Sequence, residues 1–297
     1  MKATLLHIVP SQNILGEGVL WDERTGAVWW TDIQGRTQHC YSPDSDTYRV
    51  YDLPERLGAF GFTAVDGLLV AAFESGFAYY RPLTGDIHWI DRPFTGTGGL
   101  RFNDGRVDAK GRFWCGTMAE DGKDDTIEKG ALYCLDEKLE TSRHISDIHI
   151  ANSLCWSPDG THMYFADSPR QKILRYDFDM KAGQCAAPHL FAETSGDTVP
   201  DGSVTDSAGY LWNAQWGGSR VVRYGPDGHI NSVLDLPVSQ PTCVAFGGPD
   251  MNRLFITTAR EGLSKENLAE QPDAGNLFIY QLDVKGLPAP LFKGPLP

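Results

Sequence analysis

The chain alternates short apolar runs with turns rich in Asp and Gly, and the same phrase recurs six times. "GVLWDERTGAVWWTDIQGRTQHCYSPDS" begins at Gly18 and "GFTAVDGLLVAAFESGFAYYRPLTG" at Gly61. "GRVDAKGRFWCGTM" follows at Gly105, with "GALYCLD" further on, and "SLCWSPDGTHMYFADSPRQKILRYDFD" begins at Ser153. The last two are "GSVTDSAGYLWNAQWGGSRVVRYGPDG" from Gly202 and "CVAFGGPDMNRLFITTAR" from Cys243, the latter completed by "GNLFIYQLD". Each unit reads as a strand, an Asp/Gly turn, a second apolar strand, a gap and a third strand. The residues that end the first strands are read as Trp21, Val65, Val107, Trp156, Thr205 and Phe246. They set a period of about 40–50 residues, the spacing of propeller blades. The pattern predicts an all-β, six-bladed propeller with four-stranded blades around a central channel. One blade cannot bury both faces, so the ring must close, and "TLLHIV" near the start is placed as a strand of the last blade. One domain over 1–297 is expected; two β-sandwiches would need a Pro-, Ser- or charge-rich boundary near the middle, which is missing.

Composition agrees with many short strands and turns: 41% hydrophobic and 11% aromatic residues, with 32 Gly and 18 Pro. A net charge of −13 argues against nucleic acid and against an anionic membrane surface, both of which call for a basic face. Six cysteines lie mostly inside apolar runs, with no C-x-x-C pair. Buried free thiols in a reducing compartment, the cytoplasm, are expected. The N-terminal apolar run is too short for a signal peptide, and nothing approaches the ~18 apolar residues of a membrane span.

Candidate chemistry comes from comparing what precedes the first strand of each unit, because inner strands of different blades converge on one channel. "LGEGVLW" carries Glu17, "RFNDGRV" carries Arg101, Asn103 and Asp104, "IANSLCW" carries Asn152, and "VPDGSVT" carries Asp201. The corresponding stretches of units two and six are largely apolar. A polar side chain in a buried strand is costly unless it is paired or bound. Any one of these residues alone is ordinary turn chemistry, but Glu17, Asn152 and Asp201 stand at the same phase of different repeats. They offer only oxygen donors, two of them anionic, which suits hard cations such as Ca2+, Mg2+ or Mn2+; Zn2+ and Fe2+ stay open. There is no G-x-S-x-G, H-E-x-x-H or Walker-type loop, and the eight histidines are dispersed.

Taken together, "LGEGVLWD", "RFNDGRVDAKGRFWCGTMAED", "IANSLCWSPDG", "PDGSVTDSAGYLW" and "FGGPDMNRLFITTAR" resemble the senescence-marker/regucalcin and bacterial gluconolactonase family in order and spacing. The resemblance implies a six-bladed propeller with one divalent metal in its channel and hydrolysis of a sugar (aldono-) lactone. It implies metal ligands at Glu17, Asn152 and Asp201, with Asp201 also the general base. Substrate contacts would be Arg101, Asn103 and Asp121, with Glu120 the alternative to Asp121. Calcium is the first choice of ion, with Zn2+, Mn2+, Mg2+ or Fe2+ as alternatives. Leu100 stands where the family commonly has Asn, and Ser153 where it has Gly; neither departure removes a proposed ligand. The implied partner is a small-molecule lactone, with the chain a monomer or weak homo-oligomer. Two rivals remain: another metal-dependent ester or organophosphate hydrolase on the same scaffold, and a calcium-binding propeller without enzymatic activity.

Overall fold

The computed structural model describes residues 2–94, 99–120 and 129–297. Six antiparallel sheets of four strands follow one another around a ring. The innermost strands are Gly16–Asp22, Leu57–Phe62, Leu100–Val107, Ala151–Trp156, Val199–Thr205 and Pro241–Gly247, in blades one to six. Among the described residues helix is confined to one α-helical turn and a half, Lys265–Glu270, and a 3-10 turn at Ser168–Arg170. The six-bladed expectation holds.

Blade six joins the two ends of the chain. Its outermost strand is Ala3–Val9, paired antiparallel with Leu277–Leu282 so that Ala3 faces Leu282 and Val9 faces Leu277. The remaining cohesion lies between blades. Buried side chains fall into one large apolar cluster at each of the six blade–blade interfaces. Phe77, Phe102 and Phe113 join blades two and three, and Trp21, Trp30 and Phe255 join blades one and six. Each large side chain buried this way stabilises the ring by roughly 1.5–3 kcal/mol.

The Asp/Gly turns are built around the aspartate. Asp108 Oδ1 accepts from the backbone N–H groups of Lys110 (2.8 Å) and Arg112 (3.1 Å), and its Oδ2 accepts from Trp114 Nε1 at 2.9 Å. Asp206 repeats the arrangement with Ala208, Tyr210 and Trp212 Nε1, each at 3.0 Å. A short carboxylate thus closes the turn and pins the buried tryptophan of the next strand.

Blade two differs from its sequence reading. Its inner strand ends at Phe62, and Val65 lies in the following turn, where its carbonyl accepts from Leu68 N–H at 3.1 Å. Thr63 leaves the ladder because it closes that turn and pairs with Phe292 of the C-terminal segment. That segment crosses the end of the channel where the inner strands finish. It is tied to blades five and six through Ser207 N to Lys285 O (2.8 Å) and Gly286 N to Met251 O (2.7 Å). On the far side Phe292 N meets Phe62 O (2.8 Å) and Lys293 N meets Gly111 O (3.0 Å).

In every blade the ladder between the inner strand and its neighbour slips once. The slip falls at Glu17/Leu20, Leu57/Ala59, Phe102/Gly105, Asn152/Cys155, Pro200/Ser203 and Pro241/Val244. Such bulges release residues from pairing and re-aim their side chains. All six sit near the start of the inner strand, so they ring one mouth of the channel.

Candidate active site

Glu17, Arg101, Asn103, Asn152 and Asp201 come from four blades and line one pocket of about 260 Å³ at that mouth. Each is only 3–6% exposed. Asp121, the remaining sequence-derived contact, lies outside the described residues.

Two aspartates fix the backbone that delivers Glu17 and Asn152 to the pocket. Asp32, ending the second strand of blade one, accepts from the N–H groups of Ile14 (2.8 Å) and Leu15 (3.0 Å), just ahead of Glu17. Asp167 does the same in blade four for His149 (3.1 Å) and Ile150 (2.9 Å), just ahead of Asn152. The residue after Glu17 and the residue after Asn152 are both left-handed: Gly18 at φ 60° and Ser153 at φ 61°. Glycine adopts this freely; serine does so at a cost of roughly 1–2 kcal/mol. The Ser153 hydroxyl offsets it by donating to the Asp201 carbonyl at 2.6 Å and accepting from Asn213 Nδ2 at 3.1 Å.

The polar side chains form a chain across the pocket. Arg101 Nη1 donates to Asn103 Oδ1 at 2.7 Å and to the Phe102 carbonyl at 3.0 Å. Asn103 Nδ2 donates to the Ala151 carbonyl (2.9 Å) and to Asn152 Oδ1 (3.2 Å). Asn152 Nδ2 donates to Ser168 Oγ (2.8 Å), which itself donates to the Pro200 carbonyl (2.7 Å). The amide of Asn152 is thereby fixed at both ends, its oxygen on Asn103 and its nitrogen on Ser168. At the rim Arg101 Nε faces Glu120 Oε1 at 3.3 Å; Glu120 is also held by Arg56, which in turn grips Glu74.

The two carboxyl groups are held against their solution chemistry. Burial, aided by the Asp104 carboxylate, pushes Glu17 up to about 8, although the Gly18 N–H, Arg101 and Arg106 pull the other way. Burial first, then the Glu17 and Asp104 charges, drive Asp201 well above the carboxylate range. Asp201 faces Glu17 closely enough to share a proton, and its Oδ1 is buried without any hydrogen-bond partner. Among the described residues no three His, Cys, Asp or Glu side chains converge as a metal site. A cation here would rest on two carboxylates and the Asn152 amide oxygen, with water completing the shell. That oxygen-only set fits a hard divalent ion, which would favour both carboxylates in their charged form.

The opposite wall is apolar: Leu15, Met118, Ile150, Val199 and Trp216, with Glu261 at the edge receiving a hydrogen bond from Gln34 Nε2 at 2.7 Å. Sequence reasoning missed these residues and Ser168. Ser168 and Trp216 lie at the far ends of second strands, in "ADSPR" and "AQWGG", and aligning those ends by repeat would have exposed them.

A closed ring with a carboxylate- and amide-lined pocket at one mouth of its channel is built to take a small polar molecule. The chain belongs to the SMP-30/Gluconolactonase/LRE-like family, whose model matches residues 15–260. It is 38% identical to the 6-deoxy-6-sulfogluconolactonase of Pseudomonas putida, over 99% of this chain and 100% of that one. It is also 38% identical to the L-arabinolactonase of Azospirillum brasilense, over 99% of this chain and 96% of the relative. Among solved structures it superposes on a calcium-binding protein, regucalcin, from Agrobacterium tumefaciens with a TM-score of 0.91. The identity there is 32%, with 97% of each chain covered.

Proposed function

We propose that this protein hydrolyses a sugar (aldono-) lactone to the aldonic acid, using one divalent cation held by Glu17, Asn152 and Asp201. The observation that carries the reading is the unpartnered Asp201 Oδ1, buried beside the Glu17 carboxyl in a pocket that Asn152 also lines. Two lactonases of high similarity over nearly the full length favour the substrate class. The solved relative described as calcium-binding favours Ca2+ over Zn2+, Mn2+, Mg2+ or Fe2+.

When bound, the ion supplies Lewis acidity at the lactone carbonyl and acidifies a neighbouring water. Asp201, ionised under those conditions, takes the proton from the attacking water. Arg101 presents its guanidinium to the carbonyl or an adjacent hydroxyl, and Asn103 keeps that guanidinium in place. Glu120 at the rim, or alternatively Asp121, hydrogen-bonds sugar hydroxyls, while Trp216 and Leu15 accept the C–H face of the ring. Residues 1–297 act as one domain, as a monomer or weak homo-oligomer. Six unpaired cysteines favour the cytoplasm, and no described helix is long and apolar enough to cross a membrane.

Asp201→Asn tests the reading. Asn keeps an oxygen of similar shape, so the cation should still bind, more weakly. Lactone turnover should fall about 10²–10⁴-fold, as expected for losing a general base, and saturating metal should not restore it. Recovery at high metal would leave Asp201 as a ligand only. Wild-type protein that opens phosphotriesters but no aldonolactone would overturn the substrate class.

A further inference from the structure

The channel has a second mouth, where the inner strands end, and it encloses a cavity of about 220 Å³. Its wall includes Trp21, Val107, Trp156 and Phe246, and the segment 287–290 of the C-terminal crossing closes over it. Into this apolar chamber comes one cation, Arg106. Its Nη2 is anchored to the Val244 carbonyl at 2.9 Å and to Cys243 Sγ at 3.3 Å, but its Nε is buried with no acceptor. Among the described residues no carboxylate stands in direct ion-pair contact with it; the buried Asp104 and Glu17 charges act on it only from deeper in the channel, so its Nε–H is left for a ligand. Trp156, another wall residue, also holds a buried Nε1–H without an acceptor.

A guanidinium left partly unmatched in an apolar chamber is costly, and a planar carboxylate is the group whose geometry matches it. The chamber exceeds the 150 Å³ or so in which an engineered apolar cavity holds benzene. We propose that this second mouth binds a small aromatic monocarboxylate, its ring against the tryptophan and phenylalanine wall and its carboxylate on Arg106. The ligand lies at the opposite end of the channel from the catalytic pocket and shares no lining side chain with it, although the Arg106 charge also reaches Glu17.

Benzoate is the probe, with benzyl alcohol as its neutral counterpart, and binding is read by tryptophan fluorescence and by calorimetry. Saturable benzoate binding in the millimolar range is expected. It should survive Arg101→Ala, which removes the guanidinium of the catalytic pocket. Arg106→Met should weaken benzoate at least about 10-fold, as for loss of a charged hydrogen bond, while leaving benzyl alcohol nearly unchanged. Ala289→Trp, which fills the chamber from the crossing segment, should abolish binding of both; it carries the test alone if Arg106→Met fails to fold. Absence of saturable benzoate binding to wild type, or binding lost in Arg101→Ala and kept in Ala289→Trp, would overturn the proposal.

Discussion

Arg101 is already spoken for on one side, because its Nη1 reaches both Asn103 and the Phe102 carbonyl; its remaining donors turn toward Glu120 and the pocket. Arg101→Ala should therefore lower kcat/KM for lactones by about 10–100-fold, the worth of a charged hydrogen bond, while a metal titration shows the cation site intact. Asn103 touches both Arg101 and Asn152, so Asn103→Ala should weaken metal binding as well as turnover. His39 makes a prediction about pH. It is enclosed by Asn13, Thr37 and Tyr48, with burial lowering it to about 4. The unfolded chain takes up a proton near 6.5 and the folded one only near 4, so stability falls across that window as pH drops and levels off below it. The loss reaches at most about 3 kcal/mol, and His39→Gln should flatten it in urea melts taken at successive pH values. That Glu17, Asn152 and Asp201 share a pocket could be read from the sequence because each breaks an apolar run at one phase of the repeat. Trp216 could not, since an aromatic residue at the end of an apolar strand looks like core until the fold shows which end opens.

At the scale of the strand, the six bulges decide where side chains point, and their backbone sets what can follow Glu17 and Asn152. Ser153→Ala keeps the left-handed strain and loses the bonds to Asp201 and Asn213. Urea unfolding should show a loss of about 1–2 kcal/mol. Ser153→Gly loses the same bonds but relieves the strain, and should lie within about 1 kcal/mol of wild type. A larger loss for Gly than for Ala would contradict this account. Blade two has no polar side chain at the corresponding place because a Cβ at Gly58 would run into the Phe102 carbonyl of blade three. Strand existence was legible in the apolar runs, whereas the end of the blade-two strand was not. "GFTAV" stays apolar past Phe62, and nothing local reveals that Thr63 is diverted to the turn and to Phe292.

The ring as a whole was the most legible feature, since six copies of one phrase admit few other arrangements, and the role of the leading strand followed from the need to close it. The crossing of the second mouth by residues 285–293 was not legible, as that stretch belongs to no repeat. Removing residues 2–9 should leave Leu277–Leu282 as an open edge. Scanning calorimetry should then show Tm lower by roughly 5–10 °C for about 3 kcal/mol lost, with aggregation through the bared strand. The same pairing of Ala3 with Leu282 also sets an order of events during synthesis. At about 5–20 residues per second, the ribosome needs on the order of 15–60 s to go from that strand to its partner. For that time Ala3–Val9, with Leu5 and Leu6 facing outward, must wait unpaired beside a growing stack of blades. The cell's exposure to this protein's stickiest state is therefore governed by translation speed, and a slow codon late in the message would lengthen it.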